Sequence, residues 1–441
     1  MVSHNHASTL ELRAIESLKT NPRNARTHSK NQIKGIAESI REFGFTQPVL
    51  IDDAGMILAG HGRFAAAKLL GLESVPAIRI TDLTEAQKRA LVLADNKLAE
   101  RAGWDREALT IELGELAVTL PELGLSLDLT GFEAGEIDTI LSDAEEDKAA
   151  SPDDDIEPLK DPVVTRPGDI WQLGRHRILC GDARDPEKVK ELMAEDKAGM
   201  VVADPPFNVP IDGHVLGHGK VMHPEFAMAS GEMTEEEFTE FLRVALQNAA
   251  DVSKDGALHF VFQDWRHIGA LLHAGKSVYR ELKNLIVWTK TNGGQGSLYR
   301  SQHELIALFK VGTGEHVNNV QLGRFGRNRS NVWTYAGINA FKADRAEELA
   351  SHPTVKPVAM IADAIKDVTR RNAIILDPFG GAGTTLIAAE RTGRRARLIE
   401  IEPRYVDVTV RRFERVTKSD AIHAATGRTF SELAASPGNE A

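Results

Sequence analysis

Residues 373–391 constrain the fold more than any other stretch of the chain. Ala373-Ile374-Ile375-Leu376 is an apolar run of strand type. Asp377-Pro378-Phe379-Gly380-Gly381-Ala382-Gly383-Thr384-Thr385 follows as a glycine loop, and 386–391 reads as a helix. A strand, a glycine loop and a helix in that order mark the carboxyl edge of a parallel sheet, where backbone N–H groups and the helix dipole face a nucleotide-type ligand. The loop lacks the lysine that a GK[ST] phosphate loop needs. The next strand, 396–399, runs into Glu400. That acid lies near the offset of about 20 residues expected for a group gripping ribose hydroxyls. On this loop alone a nicotinamide dehydrogenase stays open, but an acid at the strand end suits a cofactor with a free ammonium better than a pyrophosphate.

A second apolar run, Ala198-Gly199-Met200-Val201-Val202-Ala203, ends in Asp204-Pro205-Pro206-Phe207. Neither proline has an N–H, so this turn offers carbonyl oxygens and a carboxylate but almost no donors, with two successive φ angles fixed. A stiff, acceptor-only turn followed by an aromatic face suits the exocyclic amino group of a base. Asp204 and the Pro205 carbonyl would each accept one amino hydrogen while Phe207 stacks on the ring.

Composition narrows the class. The 441 residues suit about three domains, with 42% apolar and 27% charged residues. No apolar run approaches the roughly 18 to 20 residues that span a bilayer, and the first residues lack a secretory signal's basic and apolar segments. The one cysteine, Cys180, excludes a disulfide framework or a cysteine zinc cage within the chain, and no metal is expected. A reducing, cytoplasmic compartment follows as the expectation.

The net charge of −11 argues at first against a polyanionic partner. Its distribution reverses that. Residues 111–161 carry 16 acids against 2 lysines, a net −14, which leaves +3 for the rest. The runs at 143–147 and 151–155 read as a solvated tether, either a plain spacer or a competitor with DNA for a basic groove, and short helices could precede it. Residues 276–345 carry 11 Lys and Arg against 4 acids, with Trp288, Tyr299, Phe325, Trp333 and Tyr335 interleaved. This suits phosphate contact with base stacking, or simply a solvated face. Arg324, Arg327 and Arg329, set among glycines, form the expected DNA-contacting loop.

Residues 8–107 read as a compact α/β unit. Ile33, Ile36, Ile40 and Phe43 have helical spacing over 31–43, ended by Gly44; strands are expected at 48–51 and 56–58, and a helix over 64–70. Between them, Gly60-His61-Gly62-Arg63 forms a plausible phosphate loop, although glycines needed only for a turn would look the same.

These residues resemble the N-terminal domain shared by the ParB partition proteins and sulfiredoxin, from NPRNARTHSKNQIKGIAESIREFGFTQPVLID through AGHGRFAAAKLLGLESVPAI to LTEAQKRALVLADNKLAE. The resemblance implies a nucleotide-phosphate site at Gly60, His61, Gly62 and Arg63, with DNA or partner positioning as the equal alternative. Sulfiredoxin chemistry is excluded because the module has no cysteine.

The second half resembles the amino-methyltransferases of DNA that use S-adenosylmethionine. DPPF at 204–207 is similar to their catalytic motif, and DPFGGAGTT at 377–385 to their cofactor loop. The resemblance implies cofactor contacts from Asp377, Phe379, Gly380, Gly381, Gly383 and Thr384. Glu400 would bind the adenosyl group, Asp182 in LCGD would touch the adenine, and Thr354 and Lys356 in HPTVKP would line the methionine end. The catalytic motif precedes the cofactor motif, as in the β class, whose target-recognition region lies between the two.

The fold class expected is therefore α/β. A Rossmann-like, mostly parallel methyltransferase sheet spans 162–420, with target recognition at about 276–345. A smaller ParB-like α/β domain spans 8–107, an acidic linker with short helices 108–161, and a tail 421–441. The expected reaction is methyl transfer to the N6 amino group of adenine in a flipped-out base of double-stranded DNA. Cytosine N4 is the nearest rival; a ParB-like DNA-binding regulator with an inactive methylase half, and a protein or RNA methyltransferase, are further ones. A homodimer is allowed for and a membrane is not. Cytosine C5 chemistry is disfavoured because it needs a cysteine nucleophile, whereas Cys180 reads as a buried strand residue. His214 and His218 lie among glycines and make a poor metal pair. Asp264 is expected to pack at a strand end, and His303 and Glu304 receive no role.

Overall fold

The structure, a computed structural model, describes residues 7–100, 103–143, 156, 159, 162–209, 231–290, 293, 298–323, 329–335 and 355–435. The chain divides into two compact units, Met1–Ala144 and Glu145–Ala441.

The first unit holds a four-stranded sheet in the order β1-β4-β2-β3, with β1 Ala7–Ala14, β2 Val49–Ile51, β3 Ile57–Ala59 and β4 Ser74–Ile80. Ile15, Val49, Ile51, Ile57, Phe64, Val75 and Ala77 form its core. The helix expected over 31–43 runs Lys30–Phe43. Ser29 caps it by accepting from Gln32 N, and Gly44 stops it at φ 77°. The next helix begins earlier than expected, at His61 instead of 64, because Gly60 takes the left-handed conformation (φ 96°) and serves as N-cap. Gly60-His61-Gly62-Arg63 is thus a helix start and not an open loop.

Part of the expected linker is a packed helical unit. Helices Arg106–Glu122 and Ala134–Asp143 enclose a core of Leu113, Leu127 and Ile137, with Phe132 and Leu120 against it. Their leucines and isoleucines, at mixed spacings in sequence, converge from two helices and the 3-10 turn Leu127–Thr130. The acidic runs from 144 to 155 lie outside the described residues.

The second unit is built on a ten-stranded sheet. Its strands are β5 Ile170–Leu173, β6 His176–Cys180, β7 Ala198–Ala203, β8 Ser253–Gln263, β9 Glu281–Thr289, β10 His303–Lys310, β11 Val332–Thr334, β12 Ile374–Asp377, β13 Arg395–Glu400 and β14 Ala421–His423. The spatial order is β11-β9-β10-β8-β7-β12-β13-β6-β5-β14. The five central strands, β8 to β6 in that order, are parallel throughout; β10 is antiparallel to both β8 and β9, and β5 to both β6 and β14.

Central strands are apolar on both faces because helices cover both. Along β7, Met200 and Val202 enter one core while Val201 and Ala203 enter the other. Helices Pro186–Met193, Glu235–Asp251 and Ile268–Val278 pack on the second face, and Val358–Val368, Thr384–Arg391 and Pro403–Thr417 on the first.

Two expectations change here. Residues 421–435 are not a tail: β14 pairs with β5, and Phe430 is buried against Trp171 at 5.2 Å between ring centroids. The stretch 276–345 supplies three strands of the sheet, β9, β10 and β11. Trp288 and Trp333 are buried in the core, so they are not free to stack on bases; Tyr299 is 85% exposed. Phe325 lies outside the described residues.

Candidate active site

All five central strands lead into an acid at the same edge. In spatial order these are Asp264 after β8, Asp204 after β7, Asp377 ending β12, Glu400 ending β13 and Asp182 just past β6. The outer two are already held. Asp264 accepts from His267 N at 3.0 Å and pairs with Arg266, while Asp182 meets the Arg184 guanidinium at 2.7 Å. The inner three face one another, and two of them carry carboxyls pushed up to about 7.

Asp377 is fixed from its own loop. Its Oδ1 accepts from Phe379 N at 3.0 Å and its Oδ2 from Thr385 Oγ1 at 2.5 Å. Burial nevertheless pushes its carboxyl up to about 7, and the charges of Asp204 and Glu400 add to the rise. Glu400 Oε2 accepts from Gly381 N at 2.8 Å and its Oε1 from Glu402 N at 2.8 Å; burial pushes it up to about 7 as well. The glycines have separate reasons. A Cβ on Gly380 would meet the Leu398 side chain at 3.2 Å and the Ile399 carbonyl at 3.3 Å, so the loop lies flat on β13. Gly383 has φ 78° and caps the helix Thr384–Arg391. Beneath the loop, Arg412 Nη1 donates to the Ala382 carbonyl at 2.8 Å and lies 3.3 Å from Thr384 Oγ1.

The turn after β7 contains a charged cluster. Lys356 Nζ lies 2.6 Å from Asp204 Oδ2 and 3.2 Å from Glu304 Oε2, and Lys290 Nζ lies 2.5 Å from Glu304 Oε1. β9 ends and β10 begins at this edge, so Lys290 and Glu304 arrive beside Asp204. The Lys356 ammonium sits 5.5 Å from the Phe207 ring centre, 5.2 Å from Phe262 and 5.9 Å from Trp288. Asp204 Oδ1 is buried and accepts no hydrogen bond among the described residues. Burial raises the Asp204 carboxyl above its usual range; Lys356 opposes this and Glu304 adds to it. Glu304 ends below its usual range, because Lys356 and Lys290 outweigh its burial.

A DNA methylase family model matches residues 198–411, a ParB N-terminal domain model residues 1–97, and a ParB-methyltransferase HTH domain model residues 107–167. The chain belongs to the N6/N4 DNA methylases and carries a ParB N-terminal domain. As such it transfers methyl groups from S-adenosylmethionine to DNA. Among its relatives is the ParB-like nuclease domain-containing protein YnaK of Escherichia coli, 49% identical over 77 residues, covering 18% of this chain and 88% of that one. Type II methyltransferase M.HinfI of Haemophilus influenzae is 25% identical over 257 residues, covering 54% and 68%. Among solved structures, the cytosine-N4-specific PvuII DNA methyltransferase has a TM-score of 0.42 at 14% identity, covering 59% of this chain and 91% of that one.

The methylase's carboxyl edge fits S-adenosylmethionine. A ligand with an ammonium, a sulfonium and ribose hydroxyls brings positive charge and donors to an edge that has surplus acceptors. Asp377 and Glu400, with their raised carboxyls, have lone pairs to spare after the bonds above. Among the described residues no group of three or more His, Cys, Asp or Glu could hold a metal ion. His214 and His218 lie outside the described residues.

Arg329 is not a free DNA contact: its Nε lies 2.7 Å from Asp367, its Nη1 donates to Tyr335 Oη at 2.8 Å, and it stacks 4.6 Å over Trp333. Two acids on the helix Val358–Val368, the buried Asp367 and the partly exposed Asp363, account for the difference. Arg324, Arg327 and Thr354 lie outside the described residues. Cys180 is buried, its thiol pushed up to about 12 by burial and the charge of Glu400, which suits an inert strand residue.

In the first unit, Arg63 Nη1 donates to Gln47 Oε1 at 2.6 Å, and Asn21 N donates to His61 Nε2 at 3.3 Å. Gly62 is buried, and a Cβ there would meet Ile36 at 3.0 Å and His28 at 3.1 Å.

Glu304 and Lys290 were not selected by sequence reasoning. The usable signal was an acid at the mouth of an otherwise apolar strand, HELIALFK, but its relation to Asp204 depends on β10 lying antiparallel beside β8. Nothing in the local pattern specifies that pairing.

Proposed function

We propose that the protein methylates the N6 amino group of adenine in double-stranded DNA. The supporting observation is Asp204 Oδ1, a buried acceptor without a donor, on a turn that continues into the half-buried Phe207. An exocyclic amino group is the donor such an acceptor lacks. In this reading Asp204 and the Pro205 carbonyl each draw one amino hydrogen, Pro206 keeps the turn rigid, and Phe207 stacks on the base after it leaves the duplex. Adenine suits the site better than cytosine because the larger ring offers Phe207 more surface. The amino lone pair is delocalised into the ring; acceptors drawing on both hydrogens favour a pyramidal nitrogen that can attack.

S-adenosylmethionine supplies an electrophilic methyl group when bound. The residues assigned to hold it are Asp377, Phe379, Gly380, Gly381, Gly383, Thr384, Glu400, Asp182 and Thr354. Lys356 is assigned to the catalytic turn, given its 2.6 Å pairing with Asp204. Once the nitrogen carries the new methyl group, Asp204 is placed to take the proton it loses. A nucleotide phosphate at Gly60–Arg63, a homodimer and a cytoplasmic location belong to the same proposal.

The test is incubation with radiolabelled S-adenosylmethionine and duplex DNA, followed by digestion to nucleosides. The label is expected in N6-methyladenine and to vanish with Asp204→Asn. Label in N4-methylcytosine would overturn the choice of base, and undiminished transfer by Asp204→Asn the role of that residue.

A further inference from the structure

We infer that Glu304 is a positioning residue for methyl transfer: through Lys356 it fixes the orientation of Asp204 and sets the strength of its carboxylate. The inference rests on the reading of Asp204 as the acceptor of the amino hydrogens.

Asp204 by itself sits on a turn and could rotate. Its Oδ2 is held at 2.6 Å by Lys356, which leaves Oδ1 as the open acceptor. A lysine is a long, flexible tether and cannot fix a partner unless it is itself fixed. Here Lys356 is fixed twice, by the aromatic faces of Phe207, Phe262 and Trp288 and by Glu304 at 3.2 Å. Glu304 is in turn held at its other oxygen by Lys290 at 2.5 Å. The chain Asp204–Lys356–Glu304–Lys290 therefore runs from the catalytic turn to a side chain that is 32% exposed.

Charge gives the arrangement its second effect. With Lys356 alone, Asp204 would face an undivided ammonium and become a weak acceptor. Glu304 shares that ammonium and adds a negative charge nearby, so Asp204 keeps more of its basicity, while Lys290 limits the effect. Among the described residues, the other charged groups at this edge are Asp377 and Glu400 on the cofactor side, and Asp182 and Asp264, which are held by Arg184 and by Arg266 with His267. Saturation with S-adenosylmethionine keeps the titration of Asp377 and Glu400 constant.

The experiment is single-turnover methyl transfer at saturating cofactor and DNA, followed from pH 5 to 9. Wild-type activity is expected to fall on the acid side as Asp204 takes up a proton. Glu304→Gln keeps the shape but removes the charge; it should lower the plateau rate and move the acid limb down by at least about half a pH unit, with KM for the cofactor little changed. Lys290→Met, at a partly exposed position, should move the limb up. Glu304→Asp should return part of the lost rate. An acid limb that stays in place in both variants, or shifts opposite to these directions, overturns the inference even if Asp204→Asn is inactive. Full activity of Asp204→Asn would instead overturn the underlying reading of Asp204. If Glu304→Gln does not fold, the Lys290→Met shift alone decides.

Discussion

Gly381 N donates to Glu400 Oε2 at 2.8 Å, which joins the second glycine of the loop after β12 to the acid that ends the neighbouring strand. The loop and the acid are thus one device, and its carboxylate is set before any ligand arrives. Glu400 and Asp377 both sit near 7, against about 4 in an unfolded chain.

The sign of the resulting pH dependence follows. Between about pH 4 and 7 the folded apo protein holds more protons at these two groups than the unfolded chain does, so their contribution makes it less stable as pH rises through that window. A cationic cofactor favours the ionised forms and reverses the effect on binding. Calorimetric Kd for S-adenosylmethionine is expected to tighten at least about fivefold from pH 6 to 8 and then level off. Affinity that is flat or falls over that range would contradict the assignment.

Gly383→Ala tests the loop's geometry. The position has φ 78°, and a Cβ there would lie 2.7 Å from Thr409 Cγ2 and 2.9 Å from Thr409 Oγ1. Thr409 Oγ1 donates to the Gly381 carbonyl, so displacing it disturbs the same loop. Denaturant unfolding should show a loss of about 2 kcal/mol, and cofactor binding should weaken at least about tenfold.

Arg329→Ala separates anchoring from DNA contact. With its guanidinium 2.7 Å from the buried Asp367, removal should cost roughly 3 kcal/mol in unfolding experiments. The dependence of DNA affinity on salt should keep its slope, since a phosphate contact would reduce it by about one.

Phe430→Ala examines whether 421–435 belongs to the catalytic unit. Phe430 packs on Trp171 in the main core, and its truncation should destabilise by about 3 kcal/mol. A melting temperature unchanged from wild type would return this segment to a dispensable tail.

Much of the site was legible because the two Asp-Pro motifs are local: each strand, its terminal acid and its loop are contiguous, and β7, β12 and β13 lie where the apolar runs placed them. What escaped was long-range. The tryptophans of 276–345 looked available for base stacking because positive charge surrounds them in sequence. The pleat of β9 turns Trp288 inward, and β11 does the same for Trp333. Arg329 looked free for the same reason, while its partners Asp363 and Asp367 lie more than 30 positions away. Charge counted along a segment ignores pairing across a sheet, and that is also why the linkage of Glu304 to Asp204 stayed hidden.

The central strands are laid down out of spatial order: β12 and β13, which carry Asp377 and Glu400, sit between β7 and β6 yet come nearly last in the chain. A nascent polypeptide emerging from the ribosome therefore has its Asp204 turn long before Asp377 and Glu400 exist beside it. The first unit has its own core and can form early, but methyl transfer must wait until synthesis has passed residue 400. Truncated translation products would carry the N-terminal domain without any capacity to modify DNA.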